Sequence, residues 1–193
     1  PEGVLSQYVT LGCKYVVVPY LADEDRPSGD RFDEVMKDIA MIGEVAKKLG
    51  LTLLYHNHDF EFYKRGDKYA LDVLYETVPA DLLQTELDVC WVTVGHGSAT
   101  DFMKKYDGRC PLVHIKDFYC KGEYLYEKCD YKRAETLELR PIGYGRVDMT
   151  AVLDTAEEIG AKWVIVEQDA PSLGLSALEN AKLSRDWLRT LGW

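Results

Sequence analysis

Histidine is scarce in this chain, four in 193 residues, and the cysteines form no recognisable framework. Cys13, Cys90, Cys110, Cys120 and Cys129 are odd in number and include no C-x-x-C pair. That pattern excludes a zinc knuckle or a disulfide scaffold. It reads as reduced thiols, which places the protein in the cytoplasm. No apolar run approaches the length of a membrane span, and no signal-peptide pattern opens the chain. Linkers and low-complexity tracts are lacking. Positive charge is also in deficit, with 23 Lys and Arg against 33 Asp and Glu, a net charge of -10. Such a surface repels phosphate backbones, so neither nucleic acid nor a membrane is expected as a partner.

What remains is ample for a core. Hydrophobic residues make up 47% of the chain, which suits one domain spanning residues 1–193. Periodicity gives an alternation. Helical spacing over 4–12, 31–50, 69–78, 99–108, 148–160 and 175–192 is interleaved with β-branched, apolar strands at 14–20, 51–58, 81–89, 111–118 and 162–169. In the helix 31–50, Val35, Ile39, Ile42, Ala46 and Leu49 share one stripe. Three helix ends share a form, LGCKY, LGLTL and IGAKW, each with a glycine stop before a strand. Repeated βα units with nearly continuous apolar strands predict an α/β fold with a parallel sheet covered on both faces. The polar, Tyr-rich stretch 119–141 is too long for a common loop and predicts a lid or a small hairpin.

The chemistry collects at the strand ends. The second strand closes in His56, Asn57, His58, Asp59 and Glu61, and the third in Glu86 and Asp88. The fourth closes in His114, Lys116 and Asp117, and the fifth in Glu167, Gln168 and Asp169. In parallel α/β folds, functional groups converge at the carboxyl ends of the strands. Carboxylates with an imidazole form a mostly oxygen donor set, which favours Mn²⁺, Mg²⁺ or Co²⁺. A metal so held polarises a carbonyl, and a nearby carboxylate can take the proton from the adjacent carbon. The bland alternative is a solvated rim, but a rim would mix in Ser, Thr and Lys more freely. The GYGR stretch (143–146) could cradle a phosphate, although a simple turn explains two loop glycines as well.

YHNHDFEF, ELDVCWV, GRCPLVHIKDF and WVIVEQD, in this order, resemble the sugar phosphate isomerase/epimerase family, with its xylose isomerase-like TIM barrel. The resemblance runs over almost the whole chain. It implies a divalent metal, Mn²⁺ first and Mg²⁺ or Co²⁺ next, held by Glu61, Asp88, His114 and Glu167. It also implies Glu61 and Glu167 as the acid–base pair on opposite faces of a sugar or sugar phosphate. His56, His58 and Lys116 would contact substrate oxygens. Trp91 falls where some relatives carry a substrate-binding His. Within the crowded motif, His58 or Asp59 could take the ligand place of Glu61. His56 and His58 lie on one face of their strand, and Tyr55, Asn57 and Asp59 on the other.

A full barrel needs eight strands and about 250 residues, whereas five strands are legible here. A partial (β/α)₈ barrel is therefore expected, lacking the N-terminal βα units. Its two bare edges call for a second copy or a partner chain. The activity expected is metal-dependent isomerisation or epimerisation. The alternatives are a dehydratase or keto-glycoside lyase of the same superfamily, or an inactive, truncated assembly subunit. A DNA-repair endonuclease on the same barrel would need more histidines and a basic groove.

Overall fold

The computed structural model describes residues 1–95, 97–120 and 137–193. Its central sheet contains strands β1 (Tyr15–Val18), β2 (Thr52–His56), β5 (Gln84–Asp88), β6 (Leu112–Ile115) and β9 (Trp163–Val166), all parallel and adjacent in that order. Helix α1 (Glu2–Thr10) precedes these strands, α2 (Phe32–Lys48), α3 (Ala70–Thr77), α4 (Val89–Val94), α5 (Ala99–Lys105) and α6 (Met149–Glu158) run between them, and α7 (Ala177–Thr190) follows. Sequential parallel strands joined by helices build a half-barrel, the partial TIM barrel that the family resemblance implied.

Local chemistry explains the element boundaries. Gly12, Gly50 and Gly160 stop α1, α2 and α6 with φ of 78°, 75° and 67°, a backbone state that side chains with a Cβ disfavour. Asp148 caps α6 by accepting from the amide of Ala151, and Ser176 with Glu179 forms a reciprocal capping box on α7. Helix α2 buries Phe32, Val35, Met36, Ile39 and Ala46 against the sheet, with Ile42 and Leu49 packed at the margin. At Gly43 the helix lies so close to the Leu82 carbonyl that a Cβ would sit 2.4 Å from its oxygen.

Three features differ from the periodicity. The apolar stretch 111–118 is two strands. After β6 the chain turns at Lys116 and leaves the barrel as β7 (Asp117–Cys120), which pairs antiparallel with β8 (Leu137–Arg140). Of the stretch 119–141, expected to form a lid or a small hairpin, residues 121–136, including Tyr124, Tyr126, Tyr131 and Cys129, lie outside the described residues, as does His96. Helix α4 starts directly from Asp88, and a two-residue ribbon, β3 (Lys64–Arg65) with β4 (Lys68–Tyr69), turns at Gly66. Both are shorter than the windows over which periodicity is read.

The core is continuous from α2 to α6, while among the described residues β1 and β9 are each paired on one side only. On β9 Trp163 is 62% exposed, and Val4, Tyr8 and Val9 of α1 and its C-cap Leu11 face outward. Among the described residues, no helix is long and apolar enough to cross a membrane. Cys13 is exposed and Cys90, Cys110 and Cys120 are buried, all as free thiols.

Candidate metal centre

Parallel register brings the ends of the strands level. His56 pairs with Glu86 across β2 and β5, Asp88 pairs with His114 across β5 and β6, and His114 pairs with Ile165 on β9. Glu167 follows β9 immediately and is tied to β6 by its amide, which donates to the Ile115 carbonyl at 3.2 Å. As a result, one donor atom from each of His56, Asp88, His114 and Glu167 lies within 4.8 Å of the others. These four residues could hold one metal ion between them.

The atoms in this group are poised for an electrophile. Oδ1 of Asp88 accepts from the Trp91 amide at 2.9 Å, capping α4. Its Oδ2 is buried with no hydrogen-bond partner, with Nε2 of His56 3.8 Å and Nζ of Lys116 3.5 Å away. A buried carboxylate oxygen without a hydrogen bond is costly, and a metal cation beside it would offset that cost. Two imidazoles and two carboxylates make a borderline N/O set that suits divalent transition ions. Glu86 bridges the imidazoles from behind, with Oε1 3.0 Å from Nε2 of His114 and Oε2 3.4 Å from Nδ1 of His56. That is the arrangement in which an outer carboxylate orients ligating histidines.

Charges in the group are strongly coupled. Burial opposes the charged form of His114, but its hydrogen bonds to Glu167 and Glu86 outweigh this and lift its pKa to about 9. Glu86 is disfavoured as an anion by burial, yet the hydrogen bonds from His114 and His56 prevail and hold it at about 2. The hydrogen bond from His114, helped by Lys116, holds Glu167 well below the usual carboxylate range. Burial pushes Asp88 up despite Lys116.

Lys116 supplies the positive counterpart. It is 2% exposed, and its Nζ lies 2.8 Å from Glu167 Oε2, 3.1 Å from Asp169 Oδ2 and 3.5 Å from Asp88 Oδ2. The same ammonium sits 5.3 Å from the centre of the Trp91 ring, a cation–π distance. His58 is walled by aromatic rings, stacked on Phe60 and edge-on to Tyr20, with Trp91 5.6 Å away. Burial, then the nearby His56 and Lys116, lower its pKa to about 3, so its imidazole is neutral. His58 Nδ1 and the Trp91 indole Nε1 are both buried without partners.

Of the residues proposed from sequence, Asp88, His114 and Glu167 come together, and His56 stands among them rather than beside them. Glu61 is set apart from that group. It is fully buried, and its oxygens are engaged by the Tyr55 hydroxyl and by the His58 amide at 2.8 Å. The cause is local: residues 60–62 form a single 3₁₀ turn that folds Glu61 back under the end of β2. Burial lifts its pKa to about 8 against those two donors. Tyr20, Glu86 and Asp169 complete the surroundings. The last two were visible as strand-end acids, whereas nothing in the sequence marks Tyr20. The GYGR turn is already filled: the amides of Gly143, Gly145 and Val147 donate to the Asp117 carboxylate at 3.1, 2.9 and 3.1 Å.

Comparison with known proteins agrees with this architecture. The chain is 24% identical over 177 residues to the inosose dehydratase of Bacillus licheniformis, covering 88% of this chain and 55% of that protein. It thus spans about half the length of the curated relatives it matches. A sugar phosphate isomerase/epimerase from Parabacteroides distasonis superposes with a TM-score of 0.75 at 24% identity, over 97% of this chain and 61% of the other. The structure of the IOLI protein with a bound zinc atom superposes with a TM-score of 0.70 at 20% identity, over 98% and 66%. The model of the xylose isomerase-like TIM barrel matches residues 8–191, nearly the entire chain, which belongs to that family.

Proposed function

We propose that the protein is, or forms part of, a divalent-metal-dependent enzyme that moves a proton next to a carbonyl of a small carbohydrate, as in isomerisation or epimerisation. The observation that carries this reading is the convergence of His56, Asp88, His114 and Glu167 within 4.8 Å at the ends of four neighbouring strands. These four would hold the cation, and Glu86 would orient the two imidazoles. When bound, the cation supplies Lewis-acid polarisation of a carbonyl oxygen. Mn²⁺ is the first ion to test, with Co²⁺, Zn²⁺ and Mg²⁺ beside it; the zinc in one structural relative adds weight to a transition ion.

The chain's own groups divide the remaining work. Glu167 is the most accessible of the four, 33% exposed at its side chain, which makes its carboxylate the one best placed to meet a substrate proton. Lys116 donates hydrogen bonds to Glu167 and Asp169 and can shift a donor toward a developing oxyanion. His58, neutral by burial, and the Trp91 indole offer hydrogen-bonding atoms to hydroxyls. The Trp91 and Tyr20 rings offer apolar faces to a sugar's C–H groups. Glu61 supports the turn that carries His58.

A dehydratase is the second reading. The same proton abstraction ends in loss of water if a hydroxyl leaves, and the matched inosose dehydratase favours it. Metal content and turnover in D₂O test both. Protein purified without chelator should carry one divalent ion per chain, lost in Asp88→Ala. With Mn²⁺ and a panel of ketoses and inososes, deuterium entering the carbon beside the carbonyl supports isomerisation or epimerisation. Loss of water from the substrate supports dehydration. A wild-type chain that holds no more metal than Asp88→Ala overturns the metal-dependent reading.

A further inference from the structure

Strand β2 stops pairing before β5 does. The last pair in register is His56 with Glu86, yet β5 runs on through Leu87 and Asp88, which on their other side pair with Val113 and His114 of β6. The main chain of β2 has turned away, and the gap is filled by a side chain. Asn57 Oδ1 accepts from the Asp88 amide at 3.0 Å, and Asn57 Nδ2 donates to the Asp88 carbonyl at 3.3 Å. Asn57 is fully buried. A carboxamide has the donor and acceptor of a peptide group, so this one supplies an extra rung beside the last residue of β5.

The rung matters because of what Asp88 holds in place. Oδ1 is spent on the Trp91 amide, so the position of Oδ2 follows from the main chain at this residue. Oδ2 sits 3.8 Å from Nε2 of His56 and 3.5 Å from Nζ of Lys116. The neighbours of Asn57 are held too: His56 by its place in β2, and the His58 amide by the buried carboxyl of Glu61 at 2.8 Å. We propose that Asn57 is a positioning residue, whose side-chain amide fixes the Asp88 main chain and so sets the separation of His56 and Asp88 in the candidate metal group. The proposal rests on the reading of that group as a cation site, and its first measurement does not need the cation.

Two variants separate its parts. Asn57→Ala removes both hydrogen bonds; Asn57→Asp keeps the acceptor for the Asp88 amide and loses the donor. In metal-free protein, hydrogen exchange at the Asp88 amide is expected to quicken at least about 10-fold in Asn57→Ala and less in Asn57→Asp, with the amides of β6 unchanged. Titration with Co²⁺, followed by its visible absorption, is expected to show an affinity about 10- to 100-fold weaker in Asn57→Ala, the usual size of an outer-sphere loss. The absorption bands should also move, which a merely less stable protein would not produce. Wild-type exchange at Asp88 in both variants overturns the proposal. So does a rise shared equally by all core amides, or an unaltered Co²⁺ spectrum and affinity. If Asn57→Ala does not fold, Asn57→Asp carries the same comparison. If wild type binds no Co²⁺, the cation reading fails by itself and takes the proposed role with it, while the exchange data still decide the rung.

Discussion

The ammonium of Lys116 lies 3.5 Å from Oδ2 of Asp88, and both side chains are shut off from water, at 2% and 0% exposure. Removing one member of such a pair leaves the other buried without compensation. Lys116→Met is therefore expected to destabilise the metal-free protein by about 3–5 kcal/mol, read by urea unfolding. Saturating Mn²⁺ should narrow the deficit, because a cation beside Asp88 replaces the missing charge.

Gly145 meets Asp117 too closely for any side chain. A Cβ there would stand 2.1 Å from Oδ1, inside the ring of amides that binds this carboxylate. Gly145→Ala is expected to cost about 1–3 kcal/mol, the range for overpacking. A thermal melt of the variant checks it, and an unchanged melting temperature would mean the turn has room to move.

Glu61 predicts a pH dependence. Its folded pKa is about 8, raised by burial from an ordinary 4.5. The folded state therefore retains a proton that the unfolded chain releases between those values. Stability from this group is complete below about pH 4.5 and declines as pH rises toward 8. Glu61→Gln removes the titration, so the difference in stability between wild type and variant should move in the variant's favour from pH 5 to 8.

His114 acts in a higher window. Its pKa rises from 6.5 to about 9 through hydrogen bonds to Glu167 and Glu86 that overcome burial. In metal-free protein its contribution is fully present below pH 6.5 and lost as pH passes 9. A ligating imidazole must lose that proton, so Mn²⁺ affinity should climb with pH over the same interval. Calorimetry in buffers of different ionisation enthalpy would report the proton released, and His114→Asn should abolish the slope.

The fold was legible because its signals are local and repeated. Gly12, Gly50 and Gly160 mark helix stops, and the strands between them are apolar on both faces. The break at Lys116 was not legible, because Ile115 and Phe118 on either side of Lys116 and Asp117 read as one strand, although β6 ends at Ile115 and β7 starts at Asp117. Within the site, strand-end residues carry a periodic signal, so His56, Asp88, His114 and Glu167 were all visible as members. Their partition was not. Whether Glu61 faces the group depends on the 3₁₀ turn at 60–62, and no two-residue period describes a turn. Tyr20 reaches His58 only through folding, so no motif could have named it.

The open edge has a consequence for how the site holds together. Among the described residues, strand β9 is paired on one side only, by β6, and three of its four residues are exposed. Glu167 hangs from its end. An edge strand frays sooner than a central one, so the donor set is only as durable as its outermost member. A cation gripping Glu167 together with Asp88 and the two imidazoles would cross-link that edge to the middle of the sheet. Occupancy would then be written into the resistance of residues 163–167 to proteolysis, and a protease could report ligation where no substrate is yet known.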